Sequence, residues 1–485
     1  MRPTYKFFVF FILISGLGIF NLTSCKKLVE VPGPVTSLNS ATVYSTDATA
    51  AAVLTGIYQQ MSNNTFSQPG LTSMSFLPGL SSDELNLFPA ISNTGFQLYY
   101  ENALSATVTS YRIDFWTGVY PVIFTANSAI EGLNSSTNLT PAVKQQLLGE
   151  AEFIRAFCYF YLVNLYGDVP LALSSDYTKN AVLARSAKAL VYQQIIADLK
   201  DAQSKLSATY LDATLLNTTT ARVRPTSWAA TALLARTYLY TGDYTDAALQ
   251  ASSLISDSGL FGLSTLDNAF LVAGLGNNEA IWQLQSVLLG FNTEDAVTFI
   301  LPSTGPANPN FPVSLSSPLV NAFEHGDQRR THWIDSVIVS GTIYYYAFKY
   351  KSATLNAPVT EYNMVLRLGE QYLIRAEAEA NGAGNGTSAA ITDLNAIRNR
   401  AGLPNYAGAT DKTSLLTAIL HERQVELFTE WGHRWLDLKR TGSIDSVMSI
   451  VTPLKGGTWS TDQQLYPIPY TEIQKDANLT QNAGY

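Results

Sequence analysis

Apolar residues recur at three- and four-residue steps through most of the first half of the chain, the spacing that gathers them on one face of a helix. Asp47 to Met61 carries Ala52, Val53, Gly56, Ile57 and Tyr58 in this pattern, behind an Asp able to cap the segment. Phe115 to Leu133, Lys144 to Leu165 and Ala189 to Leu206 repeat it. The clearest case is Trp228 to Ile255, two helical runs around the turn Thr241-Gly242-Asp243. There Leu234, Ala235, Tyr238, Gly242, Tyr244 and Ala247 fall where a tetratricopeptide repeat places large apolar, small, aromatic, turn, aromatic and small residues. Small residues let two antiparallel helices approach closely, and the aromatics fill the space beside them. A second pair fits Val365 to Ala380 with Ala389 to Ala401, across a turn from Asn381 to Gly386. One pair cannot bury its own face, so about four are expected to stack, the earlier ones degenerate in sequence. Phe261 to Ala357 breaks the pattern. It is rich in Gly, Pro, Asn and Ser, with strand-like runs at Ile338-Val339 and Ile343 to Phe348. The expected fold is mainly α: a tetratricopeptide-like helical-repeat scaffold with long irregular loops and a few short strands. Long loops on a rigid scaffold are where binding residues usually sit.

The amino end follows a different rule. Arg2 and Lys6 precede an apolar run from Phe7 to Phe20, broken only by Ser15, Gly16 and Gly18. The run is shorter than the roughly 20 residues a spanning helix needs. A basic start, a short apolar stretch and then small residues make a secretory signal. It ends in Leu22-Thr23-Ser24-Cys25, which resembles the bacterial lipobox, whose Cys is acylated and becomes the first mature residue. At ~0.8 kcal/mol per buried methylene, two or more acyl chains hold a protein stably on a membrane. The predicted organisation is a signal over 1–24, a lipidated N-terminus and tether over 25–45 (with Pro32, Gly33 and Pro34), a helical region over 46–260 and a loop-rich region over 261–485. No low-complexity linker separates the last two, so they are expected to form one globular unit. No later stretch is long and apolar enough to span a bilayer.

Composition narrows the chemistry. A net charge of −8 without any basic block argues against nucleic acid and against an electrostatic membrane footprint. With Cys25 acylated, Cys158 has no partner, and its apolar surroundings predict a buried structural thiol. Four His and no Cys cluster make a His/Cys metal site improbable, and no cofactor is expected. His421-Glu422 opens like a zincin helix, but Val425 stands where the second His is needed. Gly274-Leu275-Gly276 lacks the third Gly of a dinucleotide loop. Asp83-Glu84, after Ser81-Ser82, reads as the start of a helix or turn rather than an acid–base pair. Glu422, Glu426 and Glu430 recur every four residues among Arg423, Arg434 and Arg440, and a structural ion network among them is expected. No catalytic residue is assigned.

Four stretches resemble the SusD/RagB family of nutrient-binding outer-membrane lipoproteins. They are EAEFIRAFCYFYLVNLYGDVPL (Glu150 to Leu171), FEHGDQRR (Phe323 to Arg330), the run from Leu366 to Leu403 with its sequel ERQVELFTEWGHRWLDLKRTG ending at Gly442, and LYPIPYTEIQKDANLTQNAGY at the carboxyl end. Read physically, these are scaffold. Gly167-Asp168 stops a helix that Pro170 could not continue, and Pro467 and Pro469 fix an extended segment. The resemblance implies a surface-exposed lipoprotein of the outer membrane that captures oligosaccharide, or peptide, and caps a SusC-type TonB-dependent barrel transporter. A covalently tethered lid meets its barrel at high effective concentration. The resemblance also implies an aromatic platform from the loops, for which Phe88, Phe96, Tyr99, Tyr100, Phe291 and Phe311 are the candidates. Flat rings stack on the apolar faces of sugars while polar groups bond the hydroxyl rim. Trp is absent from the immediate neighbourhood of these candidates, unlike the strong Trp platforms of some starch-binding members. The competing expectations are a helical-repeat adaptor without a small ligand, and a lipid-anchored glycosidase.

Overall fold

The computed structural model describes residues 43–68, 72–107, 114–307 and 309–485. The signal over 1–24, Cys25 and nearly all of the tether lie outside the described residues. The segment Tyr44 to Tyr485 is one compact unit.

The helices follow the apolar periodicity closely. Leaving aside the shortest, they are α1 (Asp47–Gln60), α2 (Thr94–Tyr100), α3 (Trp116–Ser135), α4 (Pro141–Tyr166), α5 (Lys188–Lys205), α6 (Ser227–Thr241) and α7 (Tyr244–Ser256). After the loop-rich middle come α8 (Leu368–Ala380), α9 (Gly386–Arg400), α10 (Lys412–Glu426), α11 (His433–Arg440), α12 (Ile444–Leu454) and α13 (Tyr470–Lys475). The cap of α1 is Thr46, whose hydroxyl accepts the Thr49 N–H, and not Asp47. Asp47 lies in the first turn, where a negative charge complements the helix dipole.

α4 is the axis of the core. Every residue from Gly149 to Tyr166 is buried, as a helix enclosed on all sides must be. Its polar groups are matched one by one, since an unpaired buried charge would be costly. Glu150 meets Arg224 at 2.6 Å, and Arg155 meets Asp198 at 2.7 Å. Cys158 lies within this packing, and burial pushes its thiol pKa up. The helix stops at Gly167, which has φ 75° and ψ −127°, a backbone state that side chains with a Cβ avoid.

From α3 onward the long helices pack in succession: α3 on α4, α4 on α5, α5 on α6, α6 on α7, α7 on α8, and α8 on both α9 and α10. The α6–α7 turn is tight. Gly242 closes α6 in the left-handed region, and Asp243 caps α7 through the Asp246 N–H. The buried Ala235, Ala247 and Ala251 permit the close approach.

The strands are short and paired in twos among the described residues. Those of three residues or more are β1 (Leu85–Leu87), β2 (Ala280–Leu284), β3 (Val313–Leu315), β4 (Ile334–Val339), β5 (Thr342–Ala347) and β6 (Asn363–Arg367). β1 pairs with β3, β2 with β6, and β4 with β5, all antiparallel. The β4–β5 hairpin turns on Ser340-Gly341, both at positive φ, as a two-residue hairpin loop favours. Helical spacing over Val365 to Ala380 proves a strand followed by a helix. Val365, Leu366 and Arg367 are all buried in β6, and α8 begins only at Leu368. A fully buried strand and the first turn of a helix share the same run of apolar residues, so periodicity does not separate them.

The acids expected to form an ion network do so, with other partners. Glu422 pairs with Arg329 at 2.7 Å, and Glu426 with Arg329 at 2.9 Å, Arg367 at 2.6 Å and also Arg400. Glu430 pairs with Arg367 and Lys349. The neighbouring arginines look elsewhere: Arg423 to Asp437, Arg434 to Asp83, and Arg440 to Glu377 and Asp437. The adjacent acids Asp83-Glu84 form a buried turn leading into β1, not a helix start.

Candidate functional site

One cavity of about 1000 Å³ opens between α2, the first turns of α3 and the carboxyl-terminal segment. Its long wall is a stripe on α3. Trp116, Tyr120 and Phe124 follow at four-residue spacing, so they project one above another along one helix face. The floor is a cluster of edge-on rings. Trp116 meets Tyr166 at 5.2 Å, Tyr99 meets Tyr466 at 5.2 Å, and Tyr166 meets Tyr466 at 6.3 Å. Hydroxyls of both floor and wall are committed to structure. Tyr166 Oη accepts the N–H groups of Phe115 and Trp116 at 3.1 and 3.2 Å, while Tyr120 Oη donates to the Pro170 carbonyl at 3.0 Å. Burial pushes the pKa of Tyr99, Tyr120 and Tyr166 well above the ordinary phenol value.

The opposite wall is Tyr466-Pro467 and Pro469 to Lys475. The Tyr470 N–H donates to the Ala106 carbonyl at 3.3 Å, which docks α13 against the loop after α2. At the rim two rings face outward: Phe124 is 47% exposed and Tyr470 42%. Asp114 and Glu472 add carboxylates, and Lys475 Nζ binds Glu472 Oε1 at 2.7 Å. Asp114 accepts the Thr117 N–H at 2.7 Å at the start of α3. Its carboxyl pKa is raised by burial, against the lowering effect of those Thr117 hydrogen bonds. The arrangement offers apolar faces beside acceptors and hydroxyls, which suits a ligand with C–H faces and a polar rim.

The six platform candidates do not converge on this cavity. Tyr99 lies in its floor. Phe96 is 3% exposed and packs edge-on against Phe76 at 5.0 Å, so it is core. Both lie on α2 and both are buried, and only Tyr99 borders the cavity. Tyr100, half-buried, lies under Lys455 Nζ at 5.0 Å. Phe88 is half-buried and meets Tyr344 of β5 edge-on at 6.4 Å. Phe291 follows a turn closed on the Leu288 carbonyl, and Phe311 exchanges both backbone hydrogen bonds with Ala307. Sequence reading missed Trp116, Tyr120, Phe124 and Tyr470 because it searched loops for aromatics. The signal was the four-residue aromatic step inside a predicted helix.

Comparison with known proteins covers most of the chain. The model described as SusD family matches residues 338–485, and the one described as starch-binding associating with outer membrane matches residues 36–239. SusD-like protein P2 of Formosa agariphila is 28% identical, the match covering 96% of this chain and 98% of that protein. The starch-binding protein SusD of Bacteroides thetaiotaomicron is 32% identical over 25% of this chain and 21% of its own length. Among solved structures, a laminarin-binding SusD-like protein superposes with a TM-score of 0.74 at 25% identity, over 91% of this chain and all of the other. A SusD superfamily protein from Bacteroides vulgatus superposes with a TM-score of 0.77 at 20% identity, over 90% of this chain and 99% of the other. The chain belongs to the SusD/RagB family, and its mainly helical architecture is that family's fold.

Proposed function

We propose that this protein is a binding protein without catalytic activity, anchored to the outer membrane through Cys25, which captures oligosaccharide at the cell surface and passes it to a SusC-type TonB-dependent barrel. The observation that carries the binding reading is the cavity between α3 and the carboxyl-terminal segment, with Trp116, Tyr120 and Phe124 stepped along one wall and Tyr470 facing them from the other side. Relatives named for starch and laminarin support sugar as the ligand. The outer-membrane description of the matched family and the lipobox-like Leu22 to Cys25 support the location. Tyr99 enters this site from the floor, and Phe88 with Tyr344 makes a second aromatic surface that the same binding assay tests.

Titration calorimetry on Cys25→Ser protein lacking its signal, against a panel of oligosaccharides and peptides, tests the reading. An oligosaccharide is expected to bind, and Phe124→Ala and Tyr470→Ala are each expected to weaken it about two- to tenfold, the worth of one ring stacked on an apolar face. Both side chains are rim-exposed, so their removal leaves the floor intact. Binding confined to peptides would replace sugar as the ligand. Sugar binding unchanged in the double variant would move the site elsewhere, with Phe88→Ala the next variant to measure.

A further inference from the structure

The turn from Tyr166 to Pro170 stops α4 and also forms the back of the cavity's frame. Gly167 stands at φ 75°, and a Cβ there would meet Leu465 Cδ1 at 3.1 Å, so the glycine lets the carboxyl-terminal segment lie close against the turn. Asp168 Oδ1 accepts the Lys188 N–H at 2.8 Å, at the first turn of α5. Val169 pairs with Ser186 and Pro170 with Arg185 in a two-residue antiparallel ladder. These contacts place Arg185 between the end of α4 and the last residues of the chain.

The Arg185 guanidinium donates to four neutral oxygens on two sides. On the α4 side, Nε donates to the Asp168 carbonyl at 2.7 Å and Nη2, more loosely, to the Tyr166 carbonyl at 3.4 Å. On the carboxyl-terminal side, Nη1 donates to the Thr480 carbonyl at 3.1 Å and Nη2 to Asn482 Oδ1. Asn482 completes the tie, its Nδ2 donating to the Tyr166 and Tyr466 carbonyls at 3.0 and 2.8 Å. Tyr166 lies in the cavity floor, and Tyr466 begins the opposite wall. The long wall is tied to the same frame, because Tyr120 Oη donates to the carbonyl of Pro170, the residue paired with Arg185. One side chain thus joins the supports of the floor and of both walls, yet Arg185 is not part of the lining. The bridge calls for a guanidinium. Its five N–H groups leave one rigid plane in fixed directions, whereas an ammonium offers three donors from one point.

We propose that Arg185 is the positioning residue of the cavity, holding the carboxyl-terminal wall at its set distance from α3. The consequence, that ligand affinity depends on a side chain that does not line the site, rests on the capture function proposed above. The wall itself can be measured without ligand. In Cys25→Ser protein lacking its signal, spin labels on Phe124→Cys and Tyr470→Cys report the width of the mouth, while the fully buried Cys158 stays unlabelled. A single narrow distance is expected. Arg185→Lys keeps the charge and loses the fork, and is expected to broaden and lengthen that distance. Asn482→Ala is expected to do the same from the other end. In both variants the Ile468 and Asn482 amides, each held by Gln481 Oε1 at 2.8 Å, are expected to exchange hydrogen at least about tenfold faster, the loss of one or two charge-assisted bonds. Exchange along α3 and the urea midpoint are expected to stay at the parent's values. Binding of laminarihexaose or maltohexaose is expected to weaken about two- to tenfold, the cost of re-ordering a loosened wall. Unchanged label distance and exchange in both variants overturn the proposal. So does acceleration spread evenly over the chain, which makes Arg185 a residue of the general fold. A loosened wall in a protein whose parent binds no oligosaccharide leaves the positioning role standing and overturns sugar capture. A hexaose that binds the loosened variants as tightly as the parent overturns the dependence of affinity on Arg185.

Discussion

Glu426→Gln is expected to cost about 3–5 kcal/mol of stability, the usual result of breaking a buried ion network by removing one member. That is a large part of the roughly 5–15 kcal/mol that holds most domains together. Glu426 is fully buried and shared by three guanidiniums, those of Arg329, Arg367 and Arg400. Gln keeps the shape and loses the charge, leaving Arg400 with Glu279, Arg329 with Asp327 and Glu422, and Arg367 with Glu279 and Glu430. Burial alone would raise the Glu426 carboxyl pKa, but the surrounding Arg400, Arg367 and Arg329 hold it well below the ordinary carboxylate value. A carboxyl with a depressed folded pKa contributes stability above its unfolded pKa, near 4.3, and loses it as pH falls through the folded one. The wild-type protein should therefore lose stability in acid more steeply than the variant. Urea denaturation across pH measures both effects. Glu472→Gln, which breaks a largely exposed pair with Lys475, serves as the reference and should cost at most about 1 kcal/mol. A Glu426→Gln midpoint no lower than that of the reference would show that the network contributes nothing net.

Trp282→Ala should cost a similar amount, about 3–5 kcal/mol, for a different reason: a cavity at the centre of the packing. The ring is fully buried in β2 and meets Phe153 at 5.0 Å, Phe157 at 5.4 Å and Tyr58 at 6.4 Å. Its indole N–H donates to the Val223 carbonyl at 3.2 Å. Phe157 in turn packs on Trp431 and Tyr161, so the loss reaches both early and late parts of the chain. We expect one cooperative urea transition shifted to lower midpoint, with reduced near-ultraviolet circular dichroism. A variant with two separate transitions would show that residues 46–260 and 261–485 fold independently and that this ring does not couple them.

The helices were legible because their pattern is local. Phe115 to Leu133 and Ala189 to Leu206 differ from α3 and α5 by only a residue or two at each end. Pairing was not legible where partners lie far apart in sequence. Asp83 bonds Arg434 at 2.8 Å across most of the chain, and Glu426 passes over the adjacent Arg423 for Arg329, Arg367 and Arg400. Nothing in a run of alternating charges ranks those choices. The same holds for the cavity. Tyr99 could be singled out as a loop-region aromatic, but its neighbours Tyr466 and Tyr470 arrive from the far end of the chain. The aromatic step on α3 was visible, yet an amphipathic helix buries such stripes more often than it displays them. Only the position of the carboxyl-terminal segment decides that Phe124 faces open space.

That segment has a further consequence for how the protein is made. The wall from Tyr466 to Lys475 is fastened from behind by the last residues. Asn482 donates to the Tyr166 and Tyr466 carbonyls at 3.0 and 2.8 Å, Gln481 bonds Ile468 in both directions, and Tyr485 Oη donates to the Leu465 carbonyl. Trp116 and Tyr120 belong to the early part of the chain and gain their opposite wall only when residues 466–475 dock. On the proposed capture function, ligand affinity is thus acquired only when that docking is complete. It is also open to test: trimming the residues that fasten the wall is expected to weaken the proposed binding while the helical body stays folded.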